Sequence, residues 1–170
     1  MRPAEGEYAP FYARYVALVP ETDILAVLER QAGELRQLAA SVPAERETYR
    51  YAEGKWSVRE VLGHLVDGER VFGYRAFCIS RGERAALPSF DEDQYVGEAR
   101  CDAIPLRELA GELALVRESN LAVLRRLEPR QWERVGTASG KPITVRALAW
   151  VMAGHPRHHA EILRERYGVR

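Results

Sequence analysis

The chain has 170 residues, of which 46% are hydrophobic and 29% are charged. This length allows a buried core, and we predict one domain over residues 1–170. The 25 basic side chains equal the 25 acidic ones, so the formal net charge is zero. Because surfaces that bind phosphate backbones usually show a basic excess, this balance argues against a nucleic-acid partner.

Export and membrane insertion are also disfavoured. Residues 1–8 contain no apolar core of the kind that a signal peptide needs. No apolar run approaches the roughly 20 residues of a membrane span. The two cysteines, Cys78 and Cys101, form no CxxC pair. We interpret them as reduced thiols of a cytoplasmic protein, with a reactive thiol as the alternative.

Four amphipathic segments predict helices, and no segment has a convincing strand pattern. The first helix is expected from Thr22 or Asp23 to Ala40, because apolar residues recur there at helical spacing. The second follows Ser57, which forms a capping box with Glu60, and is expected to end near residues 81–82.

The second half of the chain predicts two more helices. A connection of about 20 residues carries the acidic run 91–93, which is interpreted as solvated surface, with a functional loop as the alternative. The third helix is expected to begin at residues 102–105 and to end at Pro129. An irregular stretch, 131–142, precedes a fourth helix from Thr144 to about Tyr167.

Together the four helices predict an all-α fold, a four-helix bundle. The connection between the second and third helices is long enough to cross the bundle. These two helices are therefore able to run parallel to each other rather than form a simple hairpin.

The four histidines are the most informative feature of the sequence. In the fourth helix, His155 and His159 occupy the inward seam, one turn apart. In the second helix, His64 lies on the inward stripe in the same way. Each buried imidazole must satisfy one donor and one acceptor, and a shared metal ion does this.

Three alternatives stay open from the residues alone. The inward histidines are also compatible with ordinary hydrogen-bonded core positions. His158 competes as a ligand, although it falls off the seam. Pro156 is expected to leave the carbonyl of Met152 unpaired and to bend the helix, or else to start a new helix.

Two segments resemble the DinB-like superfamily of bacterial four-helix proteins. They are 54–65, which reads Gly-Lys-Trp-Ser-Val-Arg-Glu-Val-Leu-Gly-His-Leu, and 144–159, which ends in Gly-His-Pro-Arg-His-His. Phe90-Asp91-Glu92-Asp93 also matches a common loop pattern of that family. The resemblance covers nearly the whole chain.

The resemblance implies an up-down-down-up bundle and one divalent ion, zinc or nickel, bound by His64, His155 and His159. It also implies a homodimer, since homodimers are common in the family. Some relatives are transferases or isomerases that use low-molecular-weight thiols. Relatives often carry glutamine three residues after the last histidine, where this chain has Ile162. An orienting role for that glutamine is therefore in doubt here.

Three neutral protein ligands leave an ion with an open position, which favours chemistry over a closed structural site. We predict a transferase that activates a small thiol against a small-molecule substrate. The alternatives are a hydrolase that uses metal-bound water and a non-catalytic, metal-binding stress protein. Tyr74, Arg75, Phe90, Tyr95 and Arg157 are candidate pocket residues, although bundle packing explains most of them as well.

Overall fold

The computed structural model of the protein describes residues 2–169. Four long helices dominate this part of the chain; the short helix α1 precedes them, and the short helices α4 and α6 and a hairpin lie in the connections. The elements are α1 (Ala13–Ala17), α2 (Ile24–Ala40), α3 (Val58–Ser80), α4 (Glu92–Ala99), α5 (Leu106–Leu124), α6 (Pro129–Trp132), β1 (Val135–Ala138), β2 (Lys141–Thr144) and α7 (Val145–Tyr167). The prediction of a mostly helical protein with four main helices is confirmed. Among the described residues, no helix is both long enough and apolar enough to cross a membrane.

The predicted helix starts are correct to within one or two residues. Asp23 precedes α2, and its carboxylate accepts a hydrogen bond from the amide three residues later. The capping box of α3 is complete, because Ser57 and Glu60 each accept from the backbone amide of the other. Thr144 caps α7, and Gly168 ends it with a φ of 69°.

The core is formed by the inward faces of the long helices. Leu28, Leu65, Leu113 and Leu148, one from each of α2, α3, α5 and α7, are all fully buried. Burying such a side chain contributes about 1.5–3 kcal/mol to folding. These contacts place α3 beside both α5 and α7, which is the pairing that brings the two histidine-bearing helices together.

No strand was predicted from the sequence, and this is wrong for one segment. β1 and β2 form an antiparallel hairpin in which Ala138 pairs with Lys141. Its two turn residues, Ser139 and Gly140, have φ values of 51° and 70°, as a tight hairpin turn requires. Each strand has only four residues, with one glycine or proline, so the alternation of side chains is too short to recognise.

The end of the third predicted helix also needs correction. α5 ends at Leu124, and Pro129 does not close it but begins the short helix α6. Proline is favoured in a first helical turn, because its missing amide has no partner there. Pro105 lies just before α5, whose first amide, of Leu106, donates to the carboxylate of Glu47 at 3.1 Å.

The long connection after α3 contains the helix α4, which the sequence did not predict. Asp91 caps it, and the acidic side chains of Glu92 and Asp93 lie in its first turn, where they complement the helix dipole. All three are exposed, in agreement with a solvated acidic run.

Candidate metal centre

His64, on α3, and His155 and His159, on α7, lie together in the bundle. The Nε2 atoms of His64 and His155 are 2.8 Å apart. One ligand nitrogen from each of the three rings lies within 4.8 Å of the others. The three histidines, which come from two separate helices, therefore meet at one position in the fold.

The arrangement fits a single ion. Two nitrogens that bind one zinc ion at about 2.0–2.1 Å are roughly 2.8–3.0 Å apart at a right angle and roughly 3.3–3.4 Å apart at the tetrahedral angle. The observed 2.8 Å between two ring nitrogens lies at the short end of these distances and matches an ordinary hydrogen bond as well. Only small ring movements separate the two arrangements, so the donor set suits an imidazole-binding divalent metal.

The three rings are held in the neutral form that metal binding needs. Burial lowers the pKa of His64 to about 4 and that of His159 to about 3. Burial, with the neighbouring histidines, lowers the pKa of His155 well below its ordinary value. A neutral imidazole offers a lone pair to an ion, so no proton competes for the site at neutral pH.

The walls of the site position the rings. A Cβ atom added at Gly68 would lie 2.8 Å from Cε1 of His155, so only glycine leaves room for this ring. Trp56 packs on His64 with 4.8 Å between ring centroids, and the edges of Tyr15 and Phe72 meet His155. The buried rings of Tyr15 and Phe72 therefore enclose His155 on the side that faces the core.

His158 and the carboxylates nearest in sequence to the predicted ligands, of Glu60, Asp67 and Glu161, do not belong to the converging group. His158 is half-buried and packs on Tyr15, off the seam, and the atoms that converge within 4.8 Å are those of the other three histidines. Glu60 is occupied by the capping box and by Arg50, at 3.0 Å. The structure assigns no hydrogen bond between Asp67 or Glu161 and a histidine ring.

Pro156 does not start a new helix, because α7 continues through it to Tyr167. The carbonyl of Met152, which loses its helical donor to the proline, is not left unpaired as expected. It accepts a hydrogen bond from the buried guanidinium of Arg117, on α5, at 3.0 Å. The next carbonyl, of Ala153, accepts from Gln31, on α2, at 2.7 Å.

Arg117 is the centre of a buried polar network that the sequence did not reveal. Its guanidinium forms two hydrogen bonds of 2.8 Å with Glu69, and both side chains are almost fully buried. Gln31 accepts from the same guanidinium at 3.1 Å, and Asn120 donates to Glu69. A buried arginine is rare without a partner, but the sequence alone does not tell which arginine is buried.

Comparison with known families identifies the superfamily of the chain. The profile that describes the DinB superfamily matches residues 27–163. The chain belongs to the DinB superfamily. No curated protein matches the chain.

Two solved structures are similar in fold to this DinB-superfamily chain. YfiT from Bacillus subtilis is described as a probable metal-dependent hydrolase with an unusual four-helix bundle topology. It has a TM-score of 0.72 and 20% identity, over 96% of this chain and 92% of that one. The mycothiol-dependent maleylpyruvate isomerase has a TM-score of 0.65 and 15% identity, over 84% of this chain and 60% of that one. At these identities the likeness concerns the fold.

A solvent-facing pocket of about 320 Å³ borders the site. His159 lies in its wall, together with the cation of Lys55, the carboxylate of Asp93 and the ring of Trp56. The charge of Asp93 acts to raise the pKa of His64, against the larger effect of burial. The pocket thus gives a small molecule access to His159.

None of the five predicted pocket residues lines the pocket of His159. Arg75 is buried and donates to the carbonyl of Pro88, at 2.7 Å, and to Ser139, at 2.9 Å. Arg157 forms a bidentate ion pair with Glu21. Tyr74, Phe90 and Tyr95 line a separate pocket of about 280 Å³, which does not contain a histidine.

Proposed function

We propose that this DinB-superfamily protein is a metal-dependent enzyme that transfers a small thiol to an electrophilic substrate. The observation that carries the proposal is the convergence of three neutral imidazoles beside a solvent-facing pocket. His64, His155 and His159 would hold one divalent ion, zinc or nickel. When bound there, the ion would supply a positive charge that favours the thiolate form of a thiol, or the hydroxide form of water.

The residues of the chain have distinct roles in this proposal. The aromatic side chains around His155 exclude water from the inner side of the site. Lys55 attracts a carboxylate of an anionic thiol, and Asp93 takes the proton that the thiol releases. The sulfur then forms a bond to the electrophilic carbon of a haloaromatic substrate, and the halide leaves with the bonding electron pair.

The chain's own cysteines do not supply the nucleophile. Cys101 is buried against Gly63, and burial raises the pKa of its thiol. Cys78 is half-buried on α3, and neither residue lines the pocket of His159. The thiol would therefore arrive as a cosubstrate.

A hydrolase is the second candidate, and Asp93 is the observation that favours it. A carboxylate in the pocket wall is able to accept a proton from an attacking water. The hydrolytic reaction would cleave an ester or amide, and the proton would pass from water to the leaving group. A non-catalytic metal-binding stress protein is the third candidate. The absence of both transferase and hydrolase activity would favour it.

Contacts between helices support an up-down-down-up arrangement in a single domain. Arg117 contacts Glu69 on α3, and Asp102, just before α5, contacts Ser57, just before α3, which agrees with parallel α3 and α5. Tyr167, at the end of α7, reaches Trp56 before α3, which agrees with antiparallel α3 and α7. We also propose that the protein acts in the cytoplasm.

The test separates the two chemistries. Cobalt-substituted protein is titrated with N-acetylcysteine, and a sulfur-to-metal charge-transfer band is expected in the near ultraviolet or visible range. The thiol is then assayed with 1-chloro-2,4-dinitrobenzene, with His64→Ala as the matched control. The absence of both the band and metal-dependent turnover would exclude the transferase. Metal-dependent cleavage of p-nitrophenyl acetate without a thiol would instead favour the hydrolase.

A further inference from the structure

Another pocket lies at the N-terminal end of α7, away from His159. It has a volume of about 540 Å³ and lies between the start of α2, the helix α6 and the first turns of α7. Ile24, Leu25, Pro129 and Trp132 give it apolar walls, and Trp150 also lines it. This volume is within the roughly 300–1,000 Å³ typical of small-molecule sites.

Trp150 makes this pocket more than an apolar cleft. Its side chain is 1% exposed, and no protein group accepts a hydrogen bond from its Nε1 atom. Among the described residues, this is the only buried side-chain nitrogen or oxygen without a partner. A buried indole N–H normally has an acceptor, and Trp150 belongs to the wall of this pocket.

The charges in the wall restrict the ligand further. Arg146 is already bound to Glu7 by two hydrogen bonds, of 3.0 and 2.8 Å, so its charge is neutralised. Asp23 and Glu133 add two carboxylates to the same wall. An anionic ligand would meet these carboxylates without a free cation to bind it, whereas an uncharged ligand would not.

We propose that this pocket is a second binding site, for a planar, apolar, uncharged molecule whose carbonyl oxygen accepts the Trp150 N–H. Trp132 and the aliphatic side chains contact the flat faces of the molecule. The site is distinct from the metal centre, because none of its lining residues borders the pocket of His159. It is also independent of the proposed thiol chemistry.

The test uses the three tryptophans of the chain as separate reporters. Metal-loaded protein labelled with ¹⁵N in its indole rings is titrated with 2-acetylnaphthalene. The signals are assigned with the variants Trp56→Phe, Trp132→Phe and Trp150→Phe. We expect a saturable downfield shift of the Trp150 N–H signal, since a new hydrogen bond deshields this proton.

Two controls define the role of the donor and the position of the ligand. 2-Isopropylnaphthalene has nearly the same shape but no acceptor, and it should bind about ten-fold more weakly. Leu25→Trp should fill the pocket and abolish binding, while Leu115→Trp, on an exposed face of α5, should not. Metal content and circular dichroism of both variants should match the wild type.

Three outcomes would overturn the proposal. Equal affinity for both naphthalenes would remove the role of the Trp150 N–H. A shift of the Trp56 signal alone would place the compound beside His64, against which Trp56 packs. The absence of saturable binding to the wild type would remove the site altogether.

Discussion

The guanidinium of Arg117 donates a hydrogen bond to the carbonyl oxygen of Met152, the group whose helical donor is replaced by Pro156. The same guanidinium is paired with Glu69, which follows Gly68 in the wall of the metal centre. One buried cation therefore joins α3 to the point in α7 where Pro156 removes a backbone hydrogen bond. It fixes the relative position of the two helices that carry the three histidines.

The first prediction concerns this buried ion pair. Arg117→Met should lower the free energy of unfolding by about 3–5 kcal/mol, because the carboxylate of Glu69 stays buried without its partner. Urea denaturation measures this change. The double variant Arg117→Met/Glu69→Met should recover much of the loss, since neither charge then remains unpaired.

Arg125→Ala is the matched control for the same experiment. Arg125 directly follows α5 and pairs with Glu29, but both side chains are 48% exposed. Its removal should cost less than about 1 kcal/mol. A similar loss from Arg117→Met and Arg125→Ala would contradict the role assigned to the buried network.

The second prediction concerns the three histidines. The purified protein should contain one divalent ion per chain, and alanine at His64, His155 or His159 should remove most of it. Atomic emission spectroscopy measures the metal content. His158→Ala is the control and should retain the ion, because His158 lies off the seam. Loss of metal from His158→Ala alone would disprove the assignment of the ligands.

Much of the helical structure, but not all of the site, was predictable from the sequence. The capping box at Ser57 and the spacing of His155 and His159 are local signals, and a helix turns local spacing into spatial proximity. The meeting of His64 with His155, 91 positions apart, required the additional assumption that both helices face one core.

The parts that sequence reasoning missed depend on long-range contacts. The local sequence does not distinguish Arg117 from an exposed helical arginine, because its partners Glu69, Gln31 and Met152 are distant in the sequence. Glu47 caps α5 from 59 positions away, a relationship with no local pattern. The short helices and the hairpin have too few residues to show a period.

The third prediction tests the close packing at Gly68. Gly68→Ala should displace the ring of His155 and reduce metal affinity, since the added methyl group would lie 2.8 Å from Cε1. Competition with a chelator measures this affinity. Gly33→Ala, in the interior of α2 with nothing within 4 Å of the added atom, should bind metal normally. It should also raise stability by up to about 1 kcal/mol.

The fourth prediction is a homodimer formed through the outer face of α3. Tyr74 and Phe77 are 58% and 44% exposed there, whereas Ile79 of the same helix is buried. Light scattering should give twice the chain mass of 19.3 kDa. Phe77→Glu should yield the monomer, whereas Leu115→Glu, on α5, should not. A wild-type monomer at micromolar concentration would exclude the dimer.

The fifth prediction concerns stability in acid. The hydrogen bond from Arg157 lowers the pKa of the Glu21 carboxyl from 4.5 to about 2. A carboxyl whose pKa is lower in the folded state stabilises the protein above its unfolded pKa. The contribution is therefore complete above pH 4.5 and is lost as the pH falls towards 2. Because about a third of the side chain is exposed, we expect about 1 kcal/mol or less.

Glu21→Gln isolates this contribution, since glutamine does not titrate. Urea denaturation of the metal-free wild type and of Glu21→Gln at several pH values should show the largest difference above pH 4.5. The difference should shrink as the pH falls towards 2, and 1 M sodium chloride should weaken it at every pH. A difference that stays constant through this pH range would mean that Glu21 stabilises the fold by packing and not by its charge.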